Sequence, residues 1–229
     1  MSADHDLPVL VTYDWVPDFP RGFVRELRVR WLFEEMGQPY RVETVPLHPK
    51  SAAHLAIQPF GQVPAVRARG RTWFESGAIL LLLADAHPAL LPADRRAEIT
   101  EWLFAALNSV EMFTQPWVIA GAAAAAPQIF GPPPGPEVME RLTRNMTTKL
   151  AAMETVLTGR DWLAGGFTIA DILMADVLRI AGDKGGLQGY PALQAYVARA
   201  TARPAFRKAH ADQMAHWQAA DAARAVPAS

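Results

Sequence analysis

The stretch from Pro8 to Tyr13, PVLVTY, is a continuous apolar run of the length of one buried strand. Two prolines and a glycine in DWVPDFPRG break it into a loop, and from Phe23 to Met36 the spacing becomes helical. Phe23, Leu27, Trp31 and Met36 fall on one apolar face, while Arg25, Glu26, Arg30 and Glu34 supply polar positions; Glu26 and Arg30 form an i,i+4 pair in the favourable order. Gly37 stops this helix and Pro39 reinforces the stop. YRVETV, Tyr40 to Val45, alternates and predicts a second strand, so the three elements read as a right-handed βαβ unit. PLHPKSAAHLAIQPFG then reads as a loop with a short helix at Ala52 to Ile57. VPAVRA and RTWF flank Arg69-Gly70-Arg71, a tight antiparallel turn, and Ser76 to Ala86 is a strongly apolar helix ended by His87-Pro88.

Beyond Pro92 the pattern carries no convincing strand. A long helix begins near Asp94, with Pro116 marking a kink or break. GAAAAAPQIFGPPPGP is a Pro/Gly-rich connector whose alanine run is compatible with helix or loop. Further helices are expected at Glu137 to Leu157, Ile169 to Ile180, Ala192 to Ala200 and Ala205 to Gln218. The expected fold is therefore an α/β unit of order β-α-β-α-β-β-α over residues 1–87, a linker at 88–92, and an all-helical unit over 93–229.

Composition narrows the chemistry. In 229 residues, 51% are apolar and 20% charged, enough to bury a core, and 22 basic against 23 acidic residues leave no electrostatic footprint of a nucleic-acid or membrane-surface binder. There is no cysteine, so disulfides, protein thiolate nucleophiles and Cys-ligated metals are excluded; any thiol chemistry must bring its sulfur with the ligand. The six histidines are scattered, which argues against a metal site, and no GxGxxG follows the first strand, which argues against a dinucleotide fold. MSADHDLPVL shows no secretory pattern and the apolar run near Ala78 to Ala84 is far short of a membrane span, so a soluble cytoplasmic protein is expected.

Two short stretches carry the candidate chemistry. Pro64 opens a strand, where a missing N–H does no harm at an edge. Glu75-Ser76 opens a helix, and taken alone is a plain helix start. The order of elements changes both readings. QPFGQVPAV followed by FESGAILLLLAD resembles the thioredoxin-like half of the glutathione transferase family, whose usual pattern is Asn-Pro-x-Gly-x-Val-Pro-x-Leu and then Glu-Ser-x-Ala-Ile. Pro59, Gly61, Val63, Pro64, Glu75, Ser76, Ala78 and Ile79 match; Gln58 and Val66 depart. LFEEMGQPY is similar to the close of the family's first helix, and GGFTIADILMADVL to its Ser/Thr-x-x-Asp segment. In that segment Thr168 and Asp171 form a capping box, with Phe167 and Ile172 placed as a hydrophobic staple. The resemblance touches both halves, roughly residues 8 to 215.

The resemblance implies a cis Val63-Pro64 bond that turns the Val63 backbone toward the cysteinyl backbone of glutathione, in the manner of an added strand. It implies Ser76 at a helix start for the γ-glutamyl carboxylate and Glu75 for the ammonium, with Lys50, Gln62 and His48 as outer contacts. A thiol has pKa near 8.5, so catalysis needs a donor beside the sulfur. The family usually supplies Tyr, Ser or Cys at the end of strand one or the start of helix one. Here Phe23, Val24 and Arg25 occupy the serine or cysteine position, which leaves Tyr13, Arg21 and Arg25 as catalytic candidates, with Thr12 beside them. Trp15, Phe19, Phe113 and Trp117 are candidate walls of an electrophile site between the halves. The implied activity is conjugation of the glutathione thiol, as co-substrate and without metal, to a small hydrophobic electrophile in a detoxifying homodimer; the alternative is a non-catalytic binding protein of the same fold.

Overall fold

In the computed structural model, which describes residues 7–225, Val9–Tyr13 forms β1 at the centre of a four-stranded sheet of order β2-β1-β3-β4. β2 (Arg41–Val45) runs parallel to β1, while β3 (Ala65–Ala68) is antiparallel to β1 and to β4 (Arg71–Phe74). Leu10, Val11, Ala65 and Val66 are buried, as a central apolar run requires. α1 (Glu26–Met36) connects β1 to β2 and ends at Gly37, whose φ of 60° is the left-handed conformation of a helix cap. α2 (Ala52–Ile57) is capped by Ser51, whose hydroxyl accepts the His54 N–H at 3.1 Å. α3 (Ser76–Leu83) continues as one 3₁₀ turn to Ala86. The element order β-α-β-α-β-β-α is that expected.

The polar side of α1 departs from the expectation. Glu26 and Arg30 are not on a solvated face: their exposures are 0% and 3%, and every residue from Glu26 to Phe33 is buried. The Glu26 carboxylate accepts from the Thr12 hydroxyl at 3.3 Å and from Arg30 Nε at 3.2 and 3.1 Å. Burial lifts the Glu26 carboxyl above its ordinary range, and the adjacent Arg30 guanidinium works against that rise. The cause of the burial is the last helix, α10 (Pro204–Ala225). Phe206 meets the Trp31 ring edge-on at a centroid distance of 4.8 Å, Arg203 grips Glu35 at 2.6 and 2.7 Å, and Gln213 Nε2 donates to the Val24 carbonyl at 3.1 Å.

The chain divides into two compact units, Met1–His87 with Ala202–Ser229, and Pro88–Thr201. The stretch from Ala202 onward, read from sequence as part of the helical domain, thus groups with the sheet. The second unit is all-helical: α4 (Arg96–Phe104), α5 (Met112–Ala123), α6 (Pro127–Phe130), α7 (Pro136–Leu157), α8 (Ile169–Asp183) and α9 (Pro191–Thr201). Pro116 lies inside α5, and the ladder opens into π-helical turns at Ala105–Glu111 just before that helix. A proline removes one hydrogen bond and crowds the carbonyl four residues back, here Met112, so the ladder adjusts ahead of the ring and not at it. α8 starts with the capping box read from sequence: Asp171 accepts the Thr168 N–H at 2.9 Å. The same carboxylate also accepts from the Leu163 N–H at 3.0 Å and the Tyr196 hydroxyl at 2.9 Å, contacts that no local pattern announces.

Candidate functional site

The β3–β4 register pairs Ala65 with Phe74. Ala65 is the first residue of β3 and Phe74 the last of β4, so the Val63-Pro64 segment that enters β3 and the Glu75-Ser76 start of α3 leave the sheet at one corner. The Val63-Pro64 bond is cis, as is His48-Pro49. No hydrogen bond engages the Val63 N–H or C=O among the described residues, and Val63 is half-buried. Ser76 is buried and its hydroxyl accepts from Arg28 Nη1 at 3.4 Å. Glu75 precedes it with φ of 67°, a conformation a non-glycine residue adopts only when its surroundings impose it, and its side chain is exposed.

The loop before Val63 is built from within. The buried Gln58 side chain accepts the N–H groups of Phe60 at 2.6 Å and Gln62 at 3.2 Å, and His54 Nε2 lies 2.9 Å from the Gln62 carbonyl. A carbonyl only accepts, so Nε2 carries the proton. Gly61, at φ 62°, packs so closely on Lys50 that a Cβ would stand 3.2 Å from that side chain. The Tyr13 hydroxyl donates to the Gly61 carbonyl at 3.2 Å and accepts from Lys50 Nζ at 3.1 Å, with the ammonium 4.3 Å from the ring centroid. The structure therefore brings Tyr13, Lys50, Gln62, Val63, Pro64, Glu75 and Ser76 to the end of the sheet where β1 finishes. His216 of α10 holds the same end from behind, its Nε2 2.9 Å from the Tyr13 carbonyl. His48 is exposed.

The other candidates sit on the long β1–α1 loop. Arg21 is tied down by its own neighbourhood. It donates to the Val16 carbonyl at 3.3 and 3.1 Å, lies 3.1 Å from Asp18, and forms a fork with Asp221 at 2.6 and 2.7 Å. Trp15 Nε1 donates to the same Asp221 at 2.8 Å, and the Arg224 guanidinium stands 4.4 Å from the Trp15 ring. Phe19 packs edge-on against Phe23, and Arg25 is the half-buried residue just before α1. Trp117 belongs to the second unit, where its Nε1 donates to Thr143 at 3.1 Å, and Phe113 there lies under the Lys149 ammonium. Sequence reading missed Gln58 as a loop builder, buried His54, and buried Arg28. The departure of Gln58 from the asparagine pattern was the one signal that pointed at any of them.

The Arg21 fork holds the Asp221 carboxyl down at about 2, with the Trp15 hydrogen bond as the next cause. A carboxyl depressed in the fold stabilises it at pH above the ordinary value near ~3.9, and that contribution is lost as pH falls through the depressed one. The Trp15 indole N–H resonance is expected to titrate with a midpoint near 2, and to move at neutral pH in Asp221→Asn; an indole resonance indifferent to that substitution would show that the tether does not hold in solution.

A parallel βαβ followed by an antiparallel hairpin and helix, with a separate all-helical unit, defines a thioredoxin-like domain joined to a helical C-terminal domain. Residues 27–86 match the model of the glutathione S-transferase N-terminal domain, and residues 118–204 that of the C-terminal domain. The chain is 30% identical over 194 residues to "Probable glutathione S-transferase GSTF2" of Oryza sativa subsp. japonica, covering 77% of this chain and 86% of that protein. Its fold matches a glutathione transferase of Burkholderia graminis, solved with two glutathione molecules bound per subunit, at a TM-score of 0.73 and 23% identity over 91% of this chain and 89% of that one. A glutathione S-transferase of Pseudomonas fluorescens matches at a TM-score of 0.71 and 25% identity over 87% and 96% of the two chains. The chain belongs to the glutathione S-transferase family. Among the described residues no helix is long and apolar enough to cross a membrane, and no group of three or more His, Cys, Asp or Glu is placed to hold a metal ion.

Proposed function

We propose that the protein binds glutathione at the end of β1 and conjugates its thiol to a small hydrophobic electrophile. The observation that carries this reading is the single sheet corner where the unpartnered Val63 backbone, the Ser76 hydroxyl and the Tyr13–Lys50 pair lie together. The Val63 N–H and C=O suit the peptide of the cysteinyl residue, Ser76 and the start of α3 suit the γ-glutamyl carboxylate, and Glu75 suits the ammonium. Lys50 and Gln62 complete the polar side.

The thiolate is the difficulty, because this chain has no hydroxyl or thiol at residues 23–25. Tyr13 is the preferred helper. Lys50 donates to its oxygen, so the phenolic proton is the one left to give, first to the Gly61 carbonyl and then to an incoming sulfur. Arg21 fits the role less well, since two carboxylates already answer its charge. Arg25 keeps its place at the start of α1 as a second cation near the loop. Trp15 and Phe19 offer apolar surface to the electrophile. A homodimer in the cytoplasm completes the reading, supported by the exposure of Phe60 (68%), Phe74 (37%) and Leu82 (43%), apolar side chains that a second copy would cover.

Isothermal titration with glutathione and a conjugation assay with an aryl halide test the proposal. Ser76→Ala is expected to weaken glutathione binding about tenfold, the loss of one charge-assisted hydrogen bond. Tyr13→Phe should leave that affinity nearly intact and lower kcat by roughly ten- to a hundredfold, with the thiol titrating at higher pH. Binding without turnover across a panel of electrophiles would make the protein a non-catalytic glutathione binder, and no binding at millimolar glutathione would end the proposal.

A further inference from the structure

We propose a second, separate site at the opposite end of the sheet, where β1 begins, for a small ligand that carries two or more phosphate groups. A concave surface of about 770 Å³ there is lined by Arg41, Arg67, Arg69, Arg71, Glu43 and Val9 together with their neighbours. The strand register explains how residues from three strands and a turn converge. Val9 pairs with Arg41 on one side and Arg67 on the other, and directly paired residues project to the same face. Arg41 and Arg67 therefore stand on that face with one strand between them, about 10 Å apart at the backbone. Arg69 lies in the hairpin turn beside them, and Arg71, which follows the turn and pairs with Ala68, reaches the surface at its rim from the edge strand. Val9 is four residues from Tyr13 along β1, roughly 13 Å, so the surface is distinct from the strand-end cluster.

The charge there is lopsided in a chain that is nearly balanced overall, at a net −1. Among the described residues four arginines meet one carboxylate, and that carboxylate, Glu43, is already paired with Arg67. Among the described residues Arg41, Arg69 and Arg71 have no ion-pair or hydrogen-bond partner for their side chains. Charges that guard sheet edges against pairing account for Arg41 on β2 and Arg71 on β4. They do not account for Arg67, which is on the inner strand β3, or for Arg69. Arg69 and Gly70 have φ of 52° and 72°, the two positive angles of a tight hairpin turn, where asparagine or aspartate is the residue that fits before glycine. An arginine there goes against the turn preference and puts one more guanidinium at the rim. Guanidinium groups spread across about 10 Å, each a planar fork of donors, fit a chain of phosphates better than a single carboxylate.

The probe is inorganic tripolyphosphate, titrated calorimetrically into the full chain at low salt, with ATP in a parallel arm. Binding is expected to weaken with salt and to fall about tenfold or more in the triple variant Arg41→Gln, Arg69→Gln, Arg71→Gln, whose thermal midpoint should stay close to the parent's. A control carrying Arg141→Gln and Arg207→Gln, both exposed elsewhere, should bind like the parent. Saturating glutathione should leave tripolyphosphate binding unchanged, so the outcome is independent of the first proposal. ATP binding more tightly than tripolyphosphate would identify a nucleotide as the source of the phosphates; equal affinities would identify the phosphate chain alone. Three results would overturn the site: no heat at millimolar probe, equal loss in the control variant, or displacement by glutathione.

Discussion

A chain ending at Thr201 is expected to lose the cooperative unfolding of its sheet unit. Without α10, Trp31 would lose the ring of Phe206, and Trp31 is fully buried while Phe206 is 7% exposed. The Glu26–Arg30 pair would be opened to water on a helix whose surroundings were built to enclose it. Arg203, Gln213 and His216 would leave Glu35, the Val24 carbonyl and the Tyr13 carbonyl without these partners. Replacing one large buried aromatic by alanine costs about 3–5 kcal/mol, and a domain is stable by only about 5–15 kcal/mol, so removal of a whole covering helix exceeds what the unit has in hand. Urea unfolding followed by circular dichroism should show one transition, that of Pro88–Thr201, with exposed apolar surface before it. Trp217→Ala in the full chain gives the graded version, a loss of about 3–5 kcal/mol. A truncated chain that keeps the parent's transition would mean that α10 is a passenger on the sheet unit.

Asp171→Ala is expected to cost about 3–5 kcal/mol, well above the ~1 kcal/mol of an ordinary helix cap. The carboxylate takes hydrogen bonds from the Thr168 N–H, the Thr168 hydroxyl, the Leu163 N–H and the Tyr196 hydroxyl, all buried. Alanine leaves each donor unsatisfied in a place water does not reach, and the penalty falls on α8, where most residues from Ile169 to Ala181 are buried. Burial pushes the Asp171 carboxyl above its ordinary range in spite of these donors, and it drives the Tyr196 hydroxyl well above its own. An amide side chain retains one acceptor oxygen, so Asp171→Asn should fall between the parent and Asp171→Ala. Chemical denaturation at neutral pH measures all three. A loss near ~1 kcal/mol for alanine would show that only the cap matters and that the Tyr196 and Leu163 bonds contribute nothing.

Much of the sheet unit was readable from local pattern. β1, α2, the Arg69-Gly70 hairpin and the stop at Gly37 each follow from a run, a spacing or a turn residue within a few positions. The candidate site was readable only through motif order, since neither Pro64 nor Glu75-Ser76 says much alone. α1 shows where local reading fails. Glu26 and Arg30 occupy positions that a periodic pattern assigns to solvent, and the pattern cannot register a helix that arrives from the other end of the chain. The same limit hid Arg28 behind Ser76, and Asp221 behind Trp15 and Arg21.

Strand and helix order, the caps and the absence of a protein thiol are properties of neighbouring residues and need nothing beyond the chain's own succession of side chains. Which charges are buried, and what holds the loop beside Tyr13, came from contacts such as Glu35 with Arg203 and Trp15 with Asp221, separated by 168 and 206 residues. Backbone propensity reaches only a turn or two along the chain, whereas desolvation depends on whatever packs against a side chain in space. No linear pattern carries that information for partners so far apart.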